Sequence, residues 1–339
     1  MIIKALIWVL CLAPFLASAS TLELYRELSG KTLLVAPALP QVTDFAVSDL
    51  PVDKTNAIAT IEDELAKSGI AIVPDGPHFI RLLPVKQREG FLKEAPLRGQ
   101  ELSASARDEI VPSGALNFQG TDLSQVLAIY AELSRRTVLR PSAFVYPLIH
   151  LKTSCPLSRQ EVVYALDTVL ALNGIATIED GGSFVQMVPI NQRFQVKLQA
   201  PQREPNAKLL DPKKLPTLGG PRVAPASKLE REFLQLQTAF YQFINYKGPP
   251  LRPAFRLLEL HAQLTSKKAV PSKQFDGMPV FFRVQTPLSK SELLYAIETT
   301  LKLNNLGIVS GADQTIRLGH IRELGKNAGK QDANLHRKN

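Results

Sequence analysis

Ser29-Gly30-Lys31-Thr32 has the letters that close a phosphate-binding loop, where backbone N–H groups and a lysine hold phosphates and a hydroxyl reaches magnesium. The first glycine of such a loop should stand at position 25, which is Tyr25, and the segment follows a helical pattern instead of joining a strand to a helix. Its counterparts, Ser134-Arg135-Arg136-Thr137 and Thr265-Ser266-Lys267-Lys268, share something simpler: cations at a helix C-terminus, where they complement the helix dipole. His78, His150, His261, His320 and His336 form no i, i+4 pair and have no cysteine partners, so they predict no metal site. His150, between Ile149 and Leu151 on an alternating strand, should face water. No serine stands in a nucleophile-elbow glycine pattern, and adjacent acids such as Glu62 and Asp63 fit a solvated helix face. Acid–base groups need not be contiguous, so carboxylates stay candidates in principle. The residues nominate no catalytic group, no cofactor site and no metal site, and the expectation is that the protein is not an enzyme.

The N-terminus carries the three parts of a secretory signal: Lys4, an apolar run over 5–16, and Ala17-Ser18-Ala19 as a small-x-small cleavage site before Ser20. The run is short for a membrane span. Leu10 before Cys11 argues against a lipoprotein signal. Removal of residues 1–19 would leave Cys155 as the sole thiol, unable to form an internal disulfide, so the domains must stand on their cores even in an oxidising compartment. Cys155 precedes Pro156 at a strand-to-helix corner, where a structural thiol is the first reading and an intermolecular bridge the second. A net charge of +9 favours anionic surfaces: headgroups, wall polymers or acidic protein patches. The predicted location is the periplasm, with no transmembrane span after cleavage.

The elements are clearest over residues 116–190. An extended segment (116–118) leads to a helix (122–136), strands over 137–140 and 147–153, a second helix (158–173) and a hairpin over 175–178 and 184–188, a βαββαββ unit. In the second helix Val162, Leu166, Val169 and Leu170 form one stripe at the 3.6-residue period. Ser158 with Glu161 makes a capping box at its start, and Asn173-Gly174 stops it.

The same signals return at fixed offsets. Going back by 105 residues, Leu28-Ser29 matches Leu133-Ser134, Thr32 matches Thr137, Pro51 matches Pro156, Gly69 matches Gly174, Asp75-Gly76 matches Asp180-Gly181 and Pro84 matches Pro189. Going forward by 131, Leu264 matches Leu133, Pro287-Leu288-Ser289 matches Pro156-Leu157-Ser158, Glu292 matches Glu161, and Asn304-Asn305 matches Asn173-Gly174. An α+β protein of three repeated units follows. The first copy is truncated: its helix, from about Leu22, leaves no room for a first strand, and Phe45 and Val47 in its middle strand allow a one-residue slip.

The predicted organisation is a signal over 1–19, a truncated first domain over 20–85, a polar linker over 86–114, a second domain over 115–190 and a proline-rich basic linker over 191–226. An amphipathic helix over 227–243, a third domain over 244–321 and a disordered basic tail over 322–339 complete it. The first linker should be a surface tether and the second extended and mobile. Leu229, Phe233, Leu236 and Phe240 recur at helical spacing, either to pack on the third domain or to bind a partner.

The second unit resembles the periplasmic N-terminal domains of bacterial secretins and the short domain they share with TonB-dependent receptors. Asn117-Phe118-Gln119-Gly120-Thr121-Asp122-Leu123, Ala131-Glu132-Leu133-Ser134, Cys155-Pro156-Leu157-Ser158-Arg159-Gln160-Glu161 and Leu170-Ala171-Leu172-Asn173-Gly174-Ile175 carry the resemblance, with Val185-Gln186-Met187-Val188-Pro189 at its end. Thr286-Pro287-Leu288-Ser289 and Leu301-Lys302-Leu303-Asn304-Asn305 extend it to the third copy. The resemblance implies domains without catalytic residues that stack into rings and dock partners through sheet edges and helix faces. Secretins continue into a β-rich pore domain, which the residues after Ile321 would not form. Leu215-Pro216-Thr217-Leu218-Gly219-Gly220-Pro221 faintly echoes a motif of that pore domain but stands in a linker. A channel is therefore not expected.

The functional expectation is a non-enzymatic periplasmic adaptor or scaffold for a type II secretion, type IV pilus or related secretin assembly, with homo-oligomerisation as an option. Its partners would be envelope secretion or pilus proteins bound through sheet edges, with residues 137–140 and 147–153 as the candidate strands. The alternatives are a basic nucleic-acid-binding protein or an envelope ligand-binding protein. Nucleic acid is not expected, since a secretory signal is present and a Gly-x-x-Gly loop and an aromatic strand row are missing.

Overall fold

The computed structural model describes residues 20–40, 50–102, 109–142, 147–215, 253–272, 274–311 and 313–322. The signal segment, the strand with Phe45 and Val47, the helix over 227–243, residues 216–221 and the tail beyond residue 322 lie outside them. Helices alternate with small sheets in an α+β fold. Among the described residues no helix is long and apolar enough to cross a membrane. Contacts divide the chain into two compact units, Met1–Thr121 with Leu148–Ile175, and Asp122–Pro147 with Ala176–Asn339.

The first unit opens with α1 (Thr21–Ser29), capped by Ser20 and ended by Gly30, whose φ of 67° is the left-handed conformation that releases the chain. Ser29-Gly30 is thus a helix stop. β1 (Thr32–Val35) follows, then α2 (Lys54–Lys67), capped by Asp53, and the hairpin of β2 (Ile70–Asp75) and β3 (Phe79–Pro84). β3 lies in the middle, parallel to β1 and antiparallel to β2. Ala57, Ile61 and Leu65 place one stripe of α2 in the core, and Leu24, Tyr25, Leu33, Ile70, Ile80 and Leu82 complete it. Beyond the hairpin come α3 (Arg88–Glu94), β4 (Ile110–Val111) and β5 (Asn117–Thr121). β5 pairs with β7 (Ile149–Lys152), and β4 with β8 (Leu157–Ser158), which leads into α5 (Arg159–Leu172).

The second unit contains α4 (Leu123–Ser134), β6 (Thr137–Leu139), β9 (Ile175–Asp180, from its second residue) and β10 (Phe184–Pro189). α6 (Pro253–Thr265), β11 (Lys268–Ala269), α7 (Lys290–Leu303), β12 (Leu306–Ser310) and β13 (Thr315–His320) follow. Its sheets run β6-β10-β9 and β11-β13-β12, the order already seen in β1-β3-β2. The register is shared too: Thr32 pairs with Phe79, Thr137 with Phe184, and Lys268 with Thr315. α5 and α7 both begin with a complete capping box, Ser158 with Glu161 and Ser289 with Glu292.

The segments expected as linkers depart from that reading at particular residues. Gly99 is buried and donates its N–H to Asp75 Oδ1 (2.8 Å), and Ala200 donates to Asp180 Oδ1 (3.1 Å). Further on, Val111 pairs with Leu157, and Leu210 bridges Leu288. Both segments therefore strap the sheet before them to the helix start after them. Polar composition hid this because the contacts are made by backbone N–H and C=O groups, which every residue carries.

Candidate functional site

Two clusters of buried polar side chains stand at two joints, one in each unit. In the first, the outer face of β3 and β2 meets α5. Arg81 Nε donates to Asp75 Oδ2 (2.6 Å), and both side chains are almost wholly buried. Tyr164 on α5 donates its hydroxyl to the same oxygen (2.6 Å) and accepts from the Arg98 N–H (2.9 Å). Its ring meets Phe79 edge-on with centroids 5.6 Å apart. His78 Nδ1 lies 2.5 Å from Glu161 Oε1, whose second oxygen closes the capping box with Ser158. Thr32 at the edge of β1 accepts from the Ser154 N–H (3.1 Å), and its hydroxyl lies 3.8 Å from Cys155 Sγ.

The joint of the second unit uses the residues 105 and 131 positions on. Asp180 accepts from Gln186 Nε2 (2.6 Å) and from the Tyr295 hydroxyl. The Phe184 and Tyr295 rings meet at a tilt of 53° with centroids 5.4 Å apart. Ser183 donates to Glu292 (2.5 Å), and Arg203 Nε reaches both oxygens of that carboxylate at 3.0 and 3.1 Å. Thr137 accepts from the Gln285 N–H (3.4 Å) and lies 3.0 Å from the Thr286 hydroxyl. Phe184 and Leu139 join the apolar core that Leu288, Leu293, Ile297 and Leu318 build.

The electrostatics are those of fixed hydrogen bonds. Burial, then the hydrogen bond to Asp75, raises the Tyr164 pKa; burial and Asp180 push Tyr295 up to about 12. Both phenols therefore stay protonated near neutral pH and donate to their carboxylates. Burial opposes ionisation of Glu292, but hydrogen bonds from Ser183, the Ser289 backbone and Arg203 outweigh it and hold the carboxyl below its ordinary range. Burial raises the Cys155 thiol, leaving it a poor nucleophile. Among the described residues no three His, Cys, Asp or Glu side chains gather as metal ligands would. A groove of about 390 Å³ at the rim of the second joint is lined by Arg135, Arg203, Ser183 and Leu209, and the Arg203 charge is already paired with Glu292.

The strands expected to offer edges are engaged internally. β6 is the end strand of its sheet, yet Gln285 Oε1 accepts from Val138 N (3.3 Å) and Gln285–Thr286 meet Thr137. β7 pairs with β5, and the residues just after it bond to Thr32 of β1. His150 is exposed, as its place on the strand required. Among the described residues the other end strands of the three-stranded sheets are β1 and β11 beside β2, β9 and β12, and β11 is only two residues long. β2 contains Pro74, and Glu179 of β9 is held by Arg136 (2.7 Å), features that blunt an edge. β12, Leu-Gly-Ile-Val-Ser, has neither proline nor charge. Sequence reading missed the Asp75–Arg81–Tyr164 cluster because its members lie 6 and 89 residues apart; the matching Asp75/Asp180 and Tyr164/Tyr295 offsets were the available signal.

No protein-family model matches the chain, and no curated protein matches it.

Proposed function

We propose that the protein is a non-enzymatic periplasmic scaffold that holds components of a secretin-linked secretion or pilus assembly, with β12 as its strand-addition edge. The observation that carries this reading is the joint built twice. Asp75, Arg81, Glu161, Asp180 and Glu292, the groups a reaction would use, are bonded to other protein groups and serve to position domains. Support for β12 comes from its lack of the proline or ion pair found on the equivalent strands β2 and β9. An added strand gains affinity from main-chain hydrogen bonds and specificity from alternate side chains.

Affinity purification from envelope extracts of the native host tests the reading. Recovery of secretion or pilus components is expected, with binding lost when proline replaces whichever of Gly307 or Ile308 points its N–H away from β13. Recovery without any envelope-assembly protein, or binding indifferent to proline at both positions, would overturn it.

A further inference from the structure

The two joints leave one half unused at each end of the series. On the donor side, α2 corresponds to α5 and α7, and Val52 corresponds to Leu157 and Leu288. Those leucines are 1% and 0% exposed because a strap from the preceding sheet pairs beside them, whereas Val52 is 106% exposed. Asn56 stands where the joints have Glu161 and Glu292, and Ala59 where they have Tyr164 and Tyr295; both are exposed. On the acceptor side, β13 corresponds to β3 and β10. The two earlier strands are buried on both faces, but β13 alternates, with Ile316 and Leu318 inside and Arg317 exposed. Gly311 takes the place of Asp75 and Asp180, Gln314 that of His78 and Ser183, and Thr315 that of Phe79 and Phe184.

These replacements match across the two faces. Where the joints set a large aromatic pair and a buried carboxylate, one face has Thr315 and Gly311 and the other has Ala59. Where the joints hold a carboxylate against His78 or Ser183, the faces offer Asn56 and Gln314, two amides that can bond to each other. Arg317 occupies the position of Arg81, but Gly311 supplies no carboxylate there, so a carboxylate from a partner fits beside it. Ala59 leaves open the space a tyrosine fills, and exposed Asp63, one helical turn further along α2, carries a carboxylate over that space. Lys268 adds positive charge to the acceptor face and Asp53 negative charge to the donor face.

We propose that a second copy of this chain supplies the missing half, its Val52–Asp63 face docking on the β11-β13-β12 face so that Asp63 pairs with Arg317 and Asn56 with Gln314. The two surfaces are unlike, so the contact is head-to-tail and builds a ring or an open filament, not a two-fold dimer. This assembly does not depend on which envelope protein the scaffold holds.

Sedimentation of the purified protein over a concentration series tests it. Species larger than a dimer are expected to grow with concentration. Val52→Asp, Asp63→Arg and Arg317→Asp, all at exposed positions, should each raise the concentration for half-assembly by about tenfold or more. Asp63→Arg combined with Arg317→Asp should restore assembly, which a mere loss of folding could not do. Far-ultraviolet circular dichroism confirms that each variant is folded. A monomer at every concentration, a two-fold dimer insensitive to the reversals, or a double variant no better than either single one would overturn the proposal. So would a protein that stays monomeric while its Arg317 face captures a different acidic protein.

Discussion

The two joints share a plan and differ in where the positive charge sits. In the first unit Arg81 lies inside the joint, beside Asp75, and Glu161 faces His78. In the second, Gln186 replaces that arginine, and the guanidinium arrives from the strap as Arg203, beside Glu292. Each buried Asp still accepts three hydrogen bonds, from the position-81 or position-186 side chain, from a tyrosine and from a strap N–H. The constant feature is therefore full satisfaction of the carboxylate, and the cation is a variable added to it. That is the order physical chemistry expects: an unsatisfied buried carboxylate is costly, while a buried ion pair gains little over a well-bonded neutral arrangement.

The largest expected difference between the joints comes from breaking these clusters. Arg81→Leu should destabilise the first unit by about 3–5 kcal/mol, because it leaves Asp75 buried without its cation. Gln186→Leu should cost the second about 1–3 kcal/mol, the loss of one neutral donor. Denaturant unfolding measures both, and equal losses would erase the distinction. Next comes the tightness of the strap. A Cβ on Gly99 would sit 2.1 Å from the Asp75 carbonyl oxygen, whereas Ala200 already carries a Cβ at the equivalent place. Gly99→Ala should therefore cost about 1–3 kcal/mol by overpacking, and Ala200→Gly should cost less. Thermal unfolding of the pair checks the order.

A smaller contrast is the helix caps. Ser158→Ala and Ser289→Ala should each cost about 1 kcal/mol, alike in the two units because both are complete capping boxes. Hydrogen exchange in the first turns of α5 and α7 would report them separately. The smallest contrast is with pH. The Glu292 carboxyl is held below its unfolded value, so the folded state binds its proton less readily. Its contribution is fully present above the ordinary carboxyl range and is lost as pH falls through the depressed folded value. The stability gap between the parent protein and Glu292→Gln should close over that acidic interval. A gap constant with pH would mean that the carboxylate is not held ionised by Arg203 and Ser183.

Much of the fold was legible in the residues because its signals are local. Helix starts at Asp53, Ser158 and Ser289 and the stop at Asn173-Gly174 each depend on neighbours within a few positions. The matched offsets of Asp75/Asp180 and Glu161/Glu292 were visible as letters, but their use was not. Asp75-Gly76 read only as a repeat of Asp180-Gly181 and Glu161 as a cap, and each is also half of a joint.

Local order was thus written into the chain, since hydrogen-bond caps and apolar periodicity act over one or two turns. What only tertiary structure decided was which face meets which: that residues 86–102 and 191–210 are straps, that the edge of β6 is taken by Gln285–Thr286, and that Val52 is exposed while Leu157 and Leu288 are buried. Those outcomes depend on backbone groups and on partners tens of residues away, and neither leaves a periodic trace in the sequence.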